Sequence, residues 1–269
     1  MKRKIFIAYI FSFGLVGLAA SVLTGCDKQT ETALTAVPAA TSAAIVESSR
    51  NTAAQPAPST AVKPTEDKTT TSQSLPKSYQ LDVDFAQQAP FANWDALHEE
   101  ACEEATMIMV DKFYKTQPLN ESIMEEEIQK LVKWESNKGY QVDLTAEETA
   151  TVLELYFGLQ AEVTSEVTTE RIKREIFKGH LVIIPAAGRL LGNPNFKSPG
   201  PIYHMLVIKG WTGNDFVTND PGTRKGDNYR YSYSTLLNAV RDWNPILAED
   251  GMTDAEMAQG RKLMVIVSR

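Results

Sequence analysis

Cysteine and histidine are scarce in this chain, with two of the former and three of the latter in 269 residues. Two thiols allow at most one disulfide, so no disulfide framework holds the fold together. His98 and Cys102 stand four apart and could touch one zinc ion, but no third and fourth ligand clusters near them, and no metal site is expected. No G-x-x-x-x-G-K-[ST] motif occurs, which excludes a built-in ATPase of that type, and neither a cofactor motif nor an internal repeat is visible. Between residues 27 and 78 there is no Phe, Trp or Tyr. A segment so poor in large apolar groups cannot offset its ordering entropy, and a disordered Thr/Ala/Ser/Pro-rich tether is expected over 26–78. Its root-mean-square reach as a flexible coil would be roughly 40 Å.

Residues 1–25 have a basic start, Lys2, Arg3 and Lys4, followed by an apolar stretch from Ile5 to Leu23. That order is the pattern of an export signal. Its ending, Leu23-Thr24-Gly25-Cys26, resembles a bacterial lipobox, and the resemblance implies that Cys26 becomes a lipidated N-terminus. An uncleaved membrane anchor is the alternative. Either way the basic end stays in the cytoplasm and the remainder lies outside, held to a cell membrane. Setting Lys2, Arg3 and Lys4 aside takes the formal net charge from −7 to −10. Charges within the tether cancel, so the excess belongs to residues 79–269. So acidic a domain argues against nucleic acid or an anionic membrane face as partner.

Residues 79–269 have the length of one domain. Its first half reads as helical. "NWDALHEEACEEATMIMVDKFYK" has helical apolar spacing with Asp95 as N-cap, and "SIMEEEIQKLVKWESNKG" ends at Gly139. "TAEETATVLELYF" opens with the capping box Thr145–Glu148, and "TTERIKREIFKG" is a short amphipathic helix. Strands dominate afterwards: "LVIIPA", then "YHMLVIKGW" and "DFVTNDPG" as a hairpin around Gly210 to Asn214, a helix in "SYSTLLNAV", and a closing strand in "KLMVIVSR". Helices followed by strands give an α+β class.

Within that frame one constellation can carry chemistry. If Cys26 is lipidated, Cys102 is an unpaired thiol in an exported protein, which calls for an explanation. His204 lies in an apolar strand, and Asp220 follows 16 residues later at the end of the next strand. Pairing of those strands would set imidazole and carboxylate side by side, as a base and its orienting group require. The thiol needs a lowered pKa to act as a nucleophile, and a helix N-terminus and an imidazolium both lower it. Glu99, Glu100, Glu103 and Glu104 oppose this, so the expectation is that Cys102 faces inward to His204 while most of the acid faces solvent. Taken singly, each residue also has a plain structural role: Cys102 as a small core residue, Asp220 as turn chemistry, His204 as a packed strand residue.

Four blocks in order carry a resemblance: "LDVDFAQQAPFANWDALHEEACEEATMIMV", "GHLVIIPAAGRLLGNPNF", "GPIYHMLVIKGW" and "FVTNDPGTRKGDNYRYSYSTLLNAVRDWN". Together they resemble the free-standing relatives of the bacteriocin-processing, double-glycine-type cysteine peptidases, over roughly residues 79–269. The resemblance implies a papain-like fold, with a helical first half carrying the cysteine and an antiparallel sheet carrying histidine and aspartate. It implies Cys102 as nucleophile, His204 as general base and acid, and Asp220 as the residue orienting His204. It also implies an oxyanion-hole glutamine, for which "QQAP" offers Gln87 and Gln88, with Gln88 the better match. The processing enzymes are fused to transporter segments that do not follow here, so cleavage of double-glycine leaders is not carried over.

The expected function is therefore a membrane-tethered, extracytoplasmic cysteine peptidase or amidase, monomeric, acting on peptides or the peptide portion of cell wall. The alternatives are a binding module for a peptide or glycan on the same fold, and a purely structural envelope lipoprotein.

Overall fold

The structure, a computed structural model, describes residues 74–248 and 251–269. The signal segment, Cys26 and nearly all of the tether lie outside the described residues. Among the described residues, no helix is long and apolar enough to cross a membrane.

Seven strands form one sheet. They are β1 (Ser78–Gln80), β2 (Gln160–Thr164), β3 (Leu181–Ala187), β4 (Tyr203–Thr212), β5 (Asp215–Asn219), β6 (Tyr229–Ser232) and β7 (Met264–Ser268). Their order is β2-β7-β3-β4-β5-β6, with β1 added beside the far half of β4, and every pairing is antiparallel. The central strands are apolar without alternation because both faces are covered. On one face Leu181, Ile183, Met205, Val207, Val265 and Val267 share a core with α1 (Cys102–Lys115), α2 (Glu121–Lys138) and α3 (Ala146–Val152). On the other, Val182, Ile184, Leu206, Ile208, Met264 and Ile266 pack with α4 (Thr169–Phe177) and α5 (Tyr233–Ala239). Two four-residue helices, α6 (Pro245–Ala248) and α7 (Asp254–Met257), complete the described chain.

The α+β class holds, as a mixture of helices with an antiparallel sheet. Three helix signals act as read. Gly139 ends α2 in the left-handed conformation, Thr145 and Glu148 form the capping box of α3, and Gly179, also left-handed, follows α4. The first helix departs from expectation. It begins at Cys102 rather than near Asp95, and its N-cap is Ala101. Asp95 instead accepts hydrogen bonds from the amides of Leu97 and His98, closing a separate turn. Glu103 and Glu104 fall in the first turn of α1, and Lys112 and Lys115 in its last, as the helix dipole favours.

Strands β1, β2 and β6 have no counterpart in the sequence reading. β2 and β6 are the sheet's edges, and β1 is only three residues long. Their sequences, "SYQ", "QAEVT" and "YRYS", are polar and half-exposed, so no apolar run marks them.

The added strand depends on Gly210. A β-carbon there would lie 2.5 Å from the carbonyl oxygen of Tyr79 and 2.8 Å from Cα of Gln80. Gly210→Val is expected to unseat β1 and cost about 1–3 kcal/mol. Urea unfolding measures the loss, and faster proteolysis before residue 81 locates it.

Candidate active site

Strand β4 places His204 opposite Ala186 of β3, on the face that bears Leu206 and Ile208. The β4–β5 hairpin then returns the chain so that Asp220, just past β5, meets the imidazole, with Nε2 of His204 2.7 Å from Oδ1 of Asp220. This is the juxtaposition expected from the strand spacing. Both side chains are almost completely buried.

Asp220 is held by more than the histidine. Oδ1 also accepts from the amide of Gly222 at 3.0 Å. Oδ2 accepts from the hydroxyl of Tyr231 at 2.6 Å and from the side-chain amide of Asn193 at 3.2 Å. Asn193 donates to the Tyr231 hydroxyl as well, at 2.8 Å, which ties the two supports together. Burial pushes the Asp220 pKa up, but His204 and the hydrogen bonds outweigh it, and the net shift is downward. Asp220 is thus a carboxylate, and it leaves Nδ1 as the imidazole nitrogen not engaged with it. Neither Asn193 nor Tyr231 was singled out in the sequence. Tyr231 carries only the alternation of a short edge strand, and nothing local marks Asn193.

The turn after Asp220 closes on itself. The Asp220 amide donates to the Gly226 carbonyl, and the Gly226 amide to the Thr223 carbonyl. A β-carbon on Gly226 would fall 1.7 Å from the Asp220 carbonyl oxygen, so only glycine fits. Gly222 passes close to the histidine, and a β-carbon there would lie 2.8 Å from Cε1 of His204. The ring of Phe196 packs edge-on against the imidazole, its centroid 5.2 Å away.

Cys102 is the first residue of α1, on the opposite core. One turn on, the Thr106 hydroxyl donates to the carbonyl of Met205 at 3.2 Å, which fixes α1 against β4 beside His204. Gln88 spans the two halves of the site. Its backbone amide donates to the carbonyl of Pro221, and its side-chain amide to the carbonyls of His98 and Glu99, at 2.9 and 3.2 Å. Gln88 therefore positions the cysteine loop against the Asp220 turn. Gln87 donates to the Pro90 carbonyl, within its own loop. His98 is buried, with its ring nitrogens 2.8 Å from Asp95 and 3.0 Å from Glu125 of α2, and it clips the same loop to that helix.

The expected arrangement is corrected in both halves: among the described residues the Cys102 thiol has its hydrogen bond to a glutamate and none to His204, and the acid is not all in solvent. Glu99 and Glu100 face solvent, but Glu103 and Glu104 are buried. The thiol of Cys102 donates to Oε2 of Glu103 at 2.9 Å, and Oε1 of Glu103 accepts from the amide of Leu144 at 3.3 Å. The reason is helix geometry: with Cys102 as the first residue of α1, its first turn is itself inside the core. Burial, then the carboxyls of Glu103, Asp143 and Glu104, push the thiol pKa up, which is the opposite of nucleophile activation. The acids respond in turn. Burial and its neighbours Glu104 and Asp143 push Glu103 well up, and burial takes Glu104 and Asp143 to about 7. Glu135 of α2 is raised to about 10, by burial first and then by the neighbouring Glu104.

Comparison with known proteins adds a family relation. A family model described as "Peptidase_C39 like family" matches residues 80–248, more than half of the chain. Among solved structures, a crystal structure described as a "putative C39-like peptidase from Bacillus anthracis" is similar at a TM-score of 0.46 and 13% identity. That alignment covers 72% of this chain and 98% of the other. No curated protein matches the sequence.

Two outcomes follow from the buried carboxyls. A carboxyl whose folded pKa is raised favours the folded state most below its unfolded value of about 4.3, and stability falls as pH rises from there through the folded value. Glu135→Gln should flatten this fall, so that between pH 5 and 9 the melting temperature declines less than in the wild type. An equal decline in both would contradict the assignment. Tyr231→Phe, in contrast, removes a donor from a buried carboxylate and should cost about 1–3 kcal/mol in urea unfolding at pH 7.

Proposed function

The chain belongs to the Peptidase_C39 like family, and from that premise we propose that it is a cysteine peptidase or amidase working through Cys102, His204 and Asp220. The observation that carries this reading is the buried His204–Asp220 pair, its carboxylate held by four donors, with α1 fixed to the neighbouring strand residue Met205 through the Thr106 hydroxyl. A histidine oriented so completely has one nitrogen bound to Asp220 and one left for proton transfer.

In the reaction, the Cys102 thiol gives its proton to Nδ1 of His204, and Sγ forms a bond to the carbonyl carbon of an amide. The tetrahedral intermediate collapses as the imidazolium protonates the departing amine. Water, deprotonated by His204, then attacks the thioester, and the acid product leaves as the thiol is restored. Asp220 keeps the imidazole in the right tautomer and offsets its charge while protonated. Gln88 is the proposed oxyanion donor. It takes that role by exchanging a carbonyl of the cysteine loop for the developing oxyanion, an interaction commonly contributing a hundredfold or more in rate.

We place this domain outside the cytoplasm, held to a membrane by lipid on Cys26 through the 26–78 tether, with peptides or cell-wall peptide as substrate. The export pattern of residues 1–25 supports that placement. A binding module on the same fold is favoured by one observation, the neutral thiol bonded to Glu103.

Hydrolysis of peptide and cell-wall-peptide substrates by the membrane-anchored protein separates the two. The peptidase reading expects Cys102→Ala and His204→Ala each to lower turnover by about a thousandfold or more. Substrate binding that survives in Cys102→Ala, with no hydrolysis by the wild type, would leave the binding module.

A further inference from the structure

The contact between Cys102 and Glu103 continues into a chain of hydrogen bonds. Glu103 holds the thiol with one oxygen and the Leu144 amide with the other. The carbonyl of Leu144 accepts from the hydroxyl of Tyr203 at 2.8 Å. Tyr203 is the residue before His204 on β4, on the face turned toward α1. The segment joining α2 to α3 is therefore pinned at Leu144 from both sides, and through Glu103 it reaches the thiol. Glu103 and Leu144 are fully buried, Tyr203 nearly so, and among the described residues no Lys, Arg or His pairs with Glu103.

We propose that Glu103 is a latch on the nucleophile: pinned by Leu144 and Tyr203, it holds Cys102 as a neutral thiol, and reactivity appears only when its carboxyl turns away. This rests on the reading of Cys102 as the nucleophile and adds a regulation to it. The physical basis is simple repulsion. A thiolate formed 2.9 Å from the Glu103 carboxyl would add a further negative charge to a buried carboxyl cluster whose members already raise one another, with no nearby solvent to screen it. Other groups facing the thiol act in the same sense: Glu104 on α1, Asp143 beside Leu144, and Glu100 and Glu135 through those carboxyls. Tyr203 is itself raised by burial and by Glu103, and so remains a neutral hydroxyl able to hold Leu144. Release of the α2–α3 segment, whose Val142 is exposed, frees Oε1 of Glu103 and lets the carboxyl swing from the thiol. His204 can then take the proton.

The test is the pH dependence of iodoacetamide alkylation, followed by mass spectrometry, on the full chain carrying Cys26→Ser so that Cys102 is the one thiol. In otherwise wild-type protein the midpoint should lie above the value of about 8.5 for a free thiol. Glu103→Gln keeps an acceptor for Leu144 and removes the ionisable carboxyl. It should move the midpoint down by about one pH unit and raise the rate at neutral pH about tenfold. Tyr203→Phe should shift it in the same direction by less. A reference midpoint at or below about 8.5 would overturn the latch, as would an unchanged profile in a folded Glu103→Gln protein. If Glu103→Gln does not fold, the reference profile and Tyr203→Phe decide the matter. Alkylation needs no turnover, so the readings fail separately. A shifted profile without hydrolysis sinks the peptidase and keeps the latch, and Cys102-dependent hydrolysis with an unshifted profile does the reverse.

Discussion

The buried carboxylate of Asp220 is the interaction around which the candidate site is built. An ionised group with no solvent contact is tolerated only when its lone pairs are filled, and here four donors from four parts of the chain fill them. That requirement explains several otherwise unrelated residues. Gly226 lets the turn close on the Asp220 backbone, and Gly222 lets it pass against the imidazole. The short edge strand β6 brings Tyr231 across, and Asn193 reaches in from the segment between β3 and β4.

The cysteine end obeys a different constraint. Acid at a helix N-terminus stabilises the helix, and acid beside a thiol suppresses the thiolate. A helix that enters the core at its first residue cannot place all of that acid in solvent. Glu99 and Glu100 remain outside, whereas Glu103 and Glu104 are carried inward, and their pKa values rise with Asp143 and Glu135 around them. The site thus joins an ionised, well-supplied aspartate on one face of β4 to a proton-rich carboxyl cluster on the other.

Much of the frame was legible because it rests on local chemistry. The αL glycine after α2, the capping box of α3 and the apolar runs of β3, β4 and β7 each have a short-range cause and were read directly. The His204–Asp220 pairing was legible too, since a hairpin of known turn and strand lengths brings those two positions together. Contacts that depend on distant segments were not. Asn193, the Leu144 amide and Tyr203 carry no local signal, and the start of α1 was misjudged because Asp95 has cap-like chemistry but uses it on a separate turn. The edge strands escaped for the same reason that they are tolerable edges, being short and polar.

The central claim is that Cys102 and the His204–Asp220 pair act on one carbonyl. Its most direct measurement is the labelling of Cys102 by a peptide bearing an electrophilic carbonyl, compared with a small alkylating reagent, in the wild type, His204→Ala and Asp220→Asn. The account predicts that the peptidyl reagent loses about a hundredfold or more in rate in both variants, the size expected for a positioned base, while the small reagent changes far less. Equal labelling by the peptidyl reagent in all three proteins would contradict it, and would leave His204 and Asp220 as supports of the fold alone.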